Sequence, residues 1–174
     1  MEKSFFYKDK PLFGLDIGFN SVKVMQLEKH NEVHHVVGYG VATFKEAAIN
    51  KGMIIDHESV AKAVQELFEK NLVGEITTKR VAFSVPAART FSRILHLPKL
   101  DKKDLLEAVR LEAEQYIPVP IGDLYLDFTT IRQTDKNIEV LAAAVPKKII
   151  DSYLQLSRML GLEAVVMETT TGST

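Results

Sequence analysis

The chain has 174 residues, 46% of them hydrophobic, enough to bury a sizeable core and to mark a globular protein. Its 22 basic and 23 acidic residues leave a formal charge of -1, so no chain-wide field draws it to nucleic acid or anionic lipid. The absence of cysteine excludes disulfides and thiolate chemistry and fits a reducing compartment, so a cytoplasmic location is expected.

At the N-terminus, Met1-Glu2-Lys3-Ser4-Phe5-Phe6-Tyr7-Lys8 holds one short aromatic cluster followed at once by charge, too brief for a signal-peptide core. Export is therefore not expected. No stretch approaches the roughly 20 apolar residues of a membrane helix; the apolar run at 140–145 stops at Pro146.

Three strands are expected at 12–17, 21–27 and 33–44. Polar and apolar residues mostly alternate along Ser21-Val22-Lys23-Val24-Met25-Gln26-Leu27, the pattern of a half-buried strand. Gly18-Phe19-Asn20 and Lys29-His30-Asn31-Glu32 supply the turns. A helix follows, with Asp56 as N-cap, an apolar stripe of Val60, Val64, Leu67, Phe68 and Leu72, and Gly74 as its stop. Residues 79–85 read as a buried strand ended by Pro86, completing a βββαβ order.

The remainder reads βαββαβ. A strand at 90–97 runs to Pro98. A helix capped by Asp101 presents Leu105, Leu106, Val109, Ala113 and Tyr116, and Pro118 and Pro120 end it. Strands at 124–131 and 138–145, joined by a turn at Thr134-Asp135-Lys136-Asn137, should pair antiparallel. Pro146 opens a last helix with Ile149, Ile150, Tyr153, Leu154 and Leu160 inward; Gly161 ends it, and 162–167 is a final strand. These halves suggest two subdomains, at 1–86 and 87–168, with 169–174 as a polar, flexible tail.

The segment that carries chemistry is Asp16-Ile17-Gly18-Phe19-Asn20-Ser21-Val22-Lys23. Gly18 lets the backbone approach a phosphate tail, Asn20 tolerates a left-handed backbone, and Ser21 offers a hydroxyl. Lys23, two residues further along the same strand face, brings a point charge. Asp16 suits a hydrated magnesium ion, which keeps several waters and takes few carboxylates. The plainer reading is a β-hairpin with an exposed lysine and a solvated aspartate. Asp16 at the end of an otherwise apolar strand favours the phosphate reading, because a carboxylate there needs a cation or donors.

Gly14-Leu15-Asp16-Ile17-Gly18-Phe19-Asn20-Ser21-Val22-Lys23-Val24 resembles the first phosphate loop of the actin and sugar-kinase superfamily, in the form found in the PilM family. Lys51-Gly52-Met53-Ile54-Ile55-Asp56, Ser92-Arg93-Ile94-Leu95-His96-Leu97-Pro98 and Glu112-Ala113-Glu114-Gln115-Tyr116-Ile117-Pro118-Val119-Pro120 extend the resemblance over about 12–168. It implies an α/β, actin-like (ribonuclease H-like) first subdomain with an inserted βαββαβ subdomain, an insertion shared with the cell-division protein FtsA.

The resemblance further implies a cytoplasmic adaptor of type IV pilus assembly, peripheral to the inner membrane. Such a protein binds ATP with magnesium through Asp16, Gly18, Phe19, Asn20, Ser21 and Lys23. It grips the N-terminal cytoplasmic peptide of the membrane protein PilN between its subdomains. By the same resemblance Pro86 and Arg89 lie near that peptide, against the plainer reading of Pro86-Ala87-Ala88-Arg89 as a loop. The superfamily's second phosphate loop, adenine pocket and water-positioning groups fall after Glu168, so a half-site with no turnover is expected, in a truncated or shortened form.

Other constellations carry less. His30 falls in a turn and His34 and His35 point to opposite strand faces, which disfavours a metal site. Glu112 and Glu114, two apart on a helix, do not face each other. A small-molecule kinase would need a catalytic carboxylate and sugar pocket not found here, and an FtsA-like filament protein would carry an amphipathic membrane helix.

Overall fold

In a computed structural model, which describes residues 10–169, the chain divides into two units. The first comprises the residues up to Val85 together with Ser152–Glu168; the second holds Pro86–Asp151. The second unit closes at Asp151 rather than Glu168.

The first unit is built on a six-stranded sheet. Strands β1 (Phe13–Ile17), β2 (Ser21–His30) and β3 (Val33–Thr43) form a meander, with β1 antiparallel to β2 and β2 to β3. A short hairpin, β4 (Ile49–Asn50) with β5 (Met53–Ile54), leads into helix α1 (His57–Lys70). The edge strand β6 (Leu72–Gly74) pairs with β3, and β7 (Arg80–Val85) runs parallel to β1. Asn31 and Glu32 have φ of 47° and 66°, the two positive values that a tight hairpin turn between β2 and β3 demands.

Alternation along the strands decides the buried face. Phe13, Leu15 and Ile17 on β1, Val22 and Val24 on β2, and Val81, Phe83 and Val85 on β7 are all buried. Helix α1 starts where Asp56 accepts the Ser59 amide at 3.0 Å and buries Val60, Val64 and Leu67. Phe68 meets Phe13 edge to face at 5.9 Å. Leu72, read from the sequence as part of the helix stripe, lies instead in β6: the helix ends at Lys70, and Gly74, at φ 79°, turns the chain on the strand. The four-residue spacing from Phe68 to Leu72 could not by itself tell a last helical turn from the first residue of an edge strand.

In the second unit, β8 (Phe91–Pro98), β10 (Asn137–Pro146) and β9 (Leu124–Gln133) form an antiparallel sheet with β10 central. Helix α2 (Lys102–Tyr116) begins where Asp101 accepts the amides of Lys103 and Asp104, each at 2.9 Å. Its Leu105 and Val109 pack with Leu95, Leu97, Ile138 and Val140. Ala113 joins Ile117, Leu124 and Ala144 in a second cluster. Leu106, expected in this stripe, is half exposed, because Leu105, Val109 and Ala113 already define the buried line at four-residue spacing.

Helix α3 (Lys147–Met159) begins in the second unit and ends in the first, and β11 (Glu163–Thr169) returns to the six-stranded sheet beside β7. Thr169, assigned by sequence to the tail, is the last residue of β11; positions 170–174, like the aromatic cluster at 5–7, lie outside the described residues. Gly161, at φ 63°, ends the helix turn as expected. The inserted subdomain is therefore shorter than the sequence pattern suggested. Periodicity locates a strand, while its partner is chosen by tertiary pairing.

Candidate functional site

The β1–β2 hairpin positions the candidate phosphate-binding residues. Its register pairs Asp16 with Lys23 and Ile17 with Val22, so Ile17 and Val22 are buried while Asp16 and Lys23 share the opposite face. The Gly18 amide donates to the Ser21 carbonyl at 2.8 Å and closes the turn. A Cβ on Gly18 would stand 3.3 Å from the Ser21 hydroxyl, which is tight; glycine serves here by close approach and not by a left-handed backbone. Nor is Asn20 left-handed: among the described residues, the non-glycine positions with positive φ are Asn31, Glu32 and Lys51. Asn20 instead accepts the Phe44 amide through its carbonyl, at 2.9 Å, and that contact ties the turn to the end of β3.

The turn offers donors on a narrow front. Gly18's amide is consumed within the turn, so the backbone donors left to face an anion are those of Phe19 and Asn20. Phe19 is exposed at the tip. Lys23 Nζ lies 3.7 Å from the Asp16 carboxylate, a loose pair with both side chains substantially open to water. Asp16 thus already has a cation beside it, and its carboxylate does not by itself require a metal. Such an exposed pair is weakly held, and either partner can turn to a ligand at a cost below about 1 kcal/mol.

The donor set suits a phosphate tail with a hydrated cation. One ammonium, one hydroxyl at Ser21, two amides and one carboxylate stand on the same hairpin. Among the described residues no three metal-ligating side chains converge, so a cation here would keep most of its waters, as magnesium does. His30 and His35 do approach, with ring centroids 5.7 Å apart and Glu28 at 3.6 Å from His30, but that cluster forms no metal site.

Beneath the hairpin lies Tyr153, which the sequence marked only as a core residue. It is fully buried and meets Phe83 edge to face at 5.6 Å, yet its hydroxyl has no hydrogen-bond partner. Burial pushes its pKa far above the usual tyrosine value, and the Asp16 carboxylate adds to the shift. An apolar helical stripe gave no sign of this.

In the second unit, Pro86-Ala87-Ala88-Arg89 forms a single tight turn, with the Arg89 amide donating to the Pro86 carbonyl at 3.0 Å. Arg89 stands exposed on it.

The sequence pattern of the type IV pilus assembly protein PilM family matches residues 14–171, almost from β1 to the end of the chain. The chain belongs to the PilM family. Among solved structures, the PilM-PilN type IV pilus biogenesis complex contains a chain similar in fold, at 24% identity and a TM-score of 0.80. That match covers 91% of this chain and 47% of the other, so the chain spans about half the length of that PilM-type relative. The cytoplasmic domain of EpsL, an inner-membrane component of the type II secretion system of Vibrio cholerae, shares the fold at 9% identity and a TM-score of 0.57, over 91% of this chain and 57% of that one. The actin-like α/β architecture of the family is the one seen here.

Proposed function

We propose that this member of the PilM family is a cytoplasmic adaptor of type IV pilus assembly whose β1–β2 hairpin binds the phosphate tail of ATP with magnesium. The observation that carries the reading is the hairpin register, which sets Asp16 against Lys23 beside the Gly18 turn. Lys23 and the amides of Phe19 and Asn20 would hold phosphate oxygens, Ser21 would add a hydroxyl donor, and Asp16 would take a water of the magnesium shell. Bound magnesium would supply charge neutralisation along the phosphates.

In this reading the chain docks the N-terminal cytoplasmic peptide of a PilN-type membrane protein, with Arg89 and Pro86 in contact. The guanidinium of Arg89 suits a peptide carboxylate or main-chain carbonyl. Support comes from the family match and from the two neighbours of the fold, both parts of assemblies for pilus biogenesis or secretion. No helix among the described residues is long and apolar enough to cross a membrane, and the partner provides the membrane link.

The test is titration of a labelled PilN N-terminal peptide by fluorescence anisotropy, with and without magnesium-ATP, against the chain and its Arg89→Glu and Lys23→Ala variants. Peptide binding lost in Arg89→Glu and kept in Lys23→Ala supports the docking role. Binding unaffected by Arg89→Glu removes this turn from the peptide site, and nucleotide binding unaffected by Lys23→Ala removes the hairpin from the phosphate site.

A further inference from the structure

The three-stranded sheet of the second unit has two outer strands, β8 and β9, and their free edges differ. On β9 the register slips, with Ile131 as an extra residue between the partners of Glu139 and Val140, and the Asp127 carboxylate accepts the Phe128 amide at 2.8 Å. A bulge and a side chain bonded to the backbone both keep an edge from pairing further. Along β8 the pairing with β10 runs unbroken from Phe91, opposite Ala144, to Pro98, opposite Asn137. Its other side is a regular edge of eight residues, roughly 27 Å long. A regular edge of that length is a template for another strand.

The charged side chains of β8 are drawn off that edge. The Arg93 guanidinium lies over the Tyr116 ring of α2, 5.0 Å from its centroid, and His96 Nδ1 lies 3.5 Å from Glu139 on the neighbouring β10. Arg93 is exposed, as is Arg89 in the turn that leads into the strand. Arg80, Arg110 and Arg132 each stand within 4.0 Å of a glutamate, whereas among the described residues Arg89 and Arg93 meet no carboxylate at that distance. No acidic residue stands between Arg89 and Pro98 in the sequence. The edge is therefore cationic, with guanidinium donors to spare for a carboxylate.

We propose that the β8 edge receives an extended peptide with an acidic side chain as a fourth strand of this sheet, its main chain pairing with β8 and its carboxylate reaching Arg93 or Arg89. On the adaptor reading, on which this rests, that peptide comes from the N-terminus of the membrane partner. Main-chain hydrogen bonds along the edge supply affinity, and the two cations select an acidic sequence. Ile94, half exposed on the face opposite Arg93, offers contact to an apolar side chain of the added strand. A second copy of the chain fits the same edge poorly. Antiparallel pairing of two β8 strands about Ile94 sets the two Arg93 side chains at diagonal positions, about 7–8 Å apart, with no acidic residue on either strand to offset them.

The experiment is amide hydrogen exchange followed by NMR on the 174-residue chain, alone and saturated with the N-terminal peptide of a PilN-type protein. Alternate amides of β8, those turned away from β10, should exchange fast in the free chain and at least roughly tenfold more slowly in the complex, while β9 is unchanged. Peptides N-methylated on alternate backbone nitrogens should divide into two sets, one binding roughly tenfold or more weakly than the unmodified peptide and the other as well as it. Amides in place of the peptide's carboxylates should weaken binding to the parent chain several-fold and leave binding to the double variant Arg89→Gln, Arg93→Gln unchanged. Fast β8 amides in a complex that does form, or equal losses from both methylated sets, overturn strand addition and leave the adaptor reading standing. A peptide that does not bind overturns both. Protection of β8 in the free chain that fades on dilution overturns the proposal in favour of a second copy.

Discussion

The backbone amide of Ile54 donates to the hydroxyl of Ser152 at 3.1 Å, joining residues 98 apart in the sequence and both inside the first unit. The neighbouring His57 ring nitrogen meets the Ser152 carbonyl at 3.0 Å. Through this pair the chain, after completing the inserted subdomain, is fastened back to the start of α1. Ser152→Ala should leave a buried amide without its acceptor and cost about 1–3 kcal/mol of stability. Chemical denaturation of the variant measures it, and a loss below a few tenths of a kcal/mol would show that the contact fastens nothing.

Helix α1 can lie close on β3 because Gly40 has no side chain. A Cβ there would stand 2.7 Å from the Asn71 carbonyl oxygen and 2.9 Å from a Leu67 methyl. Gly40→Ala should therefore destabilise by about 1–3 kcal/mol through forced displacement of the helix end. Gly14→Ala, with its nearest neighbour at 3.8 Å, is the matched control and should change stability by less than about 0.5 kcal/mol. Equal melting temperatures for the two variants would contradict the close approach.

Tyr153 carries a buried hydroxyl with nothing to bond. Tyr153→Phe removes that unsatisfied group at constant shape and should leave stability unchanged or raise it by about 1 kcal/mol. The pH dependence follows from the raised pKa. The unfolded chain releases this proton near pH 10 while the folded chain keeps it, so stability is full below pH 10 and declines as pH rises above it. The slope of stability against pH above 10 should be shallower in Tyr153→Phe than in the parent chain; identical slopes would deny Tyr153 that role.

Lys23→Ala separates the two meanings of the Asp16–Lys23 pair. At 3.7 Å and largely in water the pair contributes less than about 1 kcal/mol to folding, so the variant should melt almost as the parent does. If Lys23 holds a phosphate oxygen, magnesium-ATP affinity should fall by roughly tenfold or more. Calorimetric titration reads the second effect and thermal unfolding the first. A large drop in stability with unchanged nucleotide affinity would make Lys23 a structural residue.

Much of this was legible from residue order. The caps at Asp56 and Asp101, the tight turn after His30, the antiparallel pairing of β9 with β10 and the glycine turn between β1 and β2 all follow from local chemistry. A cap, a turn or a strand face is decided by neighbours a few residues away, and those neighbours are written in the sequence. Errors came where two local readings were equally good, as for Leu72 at the end of α1 and Leu106 in the stripe of α2.

The sequence by itself determined the elements, the hairpin that holds Asp16 and Lys23, and the family resemblance. Only the tertiary structure decided that β11 rejoins the first sheet, that Lys23 sits beside Asp16, that Tyr153 is buried with an orphan hydroxyl, and that Met25 and Tyr39 share an open face. The reason is physical. A two-residue period tells which side chains point together along one strand, but strand order, and with it what stands across a gap of several ångströms, depends on pairings between distant segments.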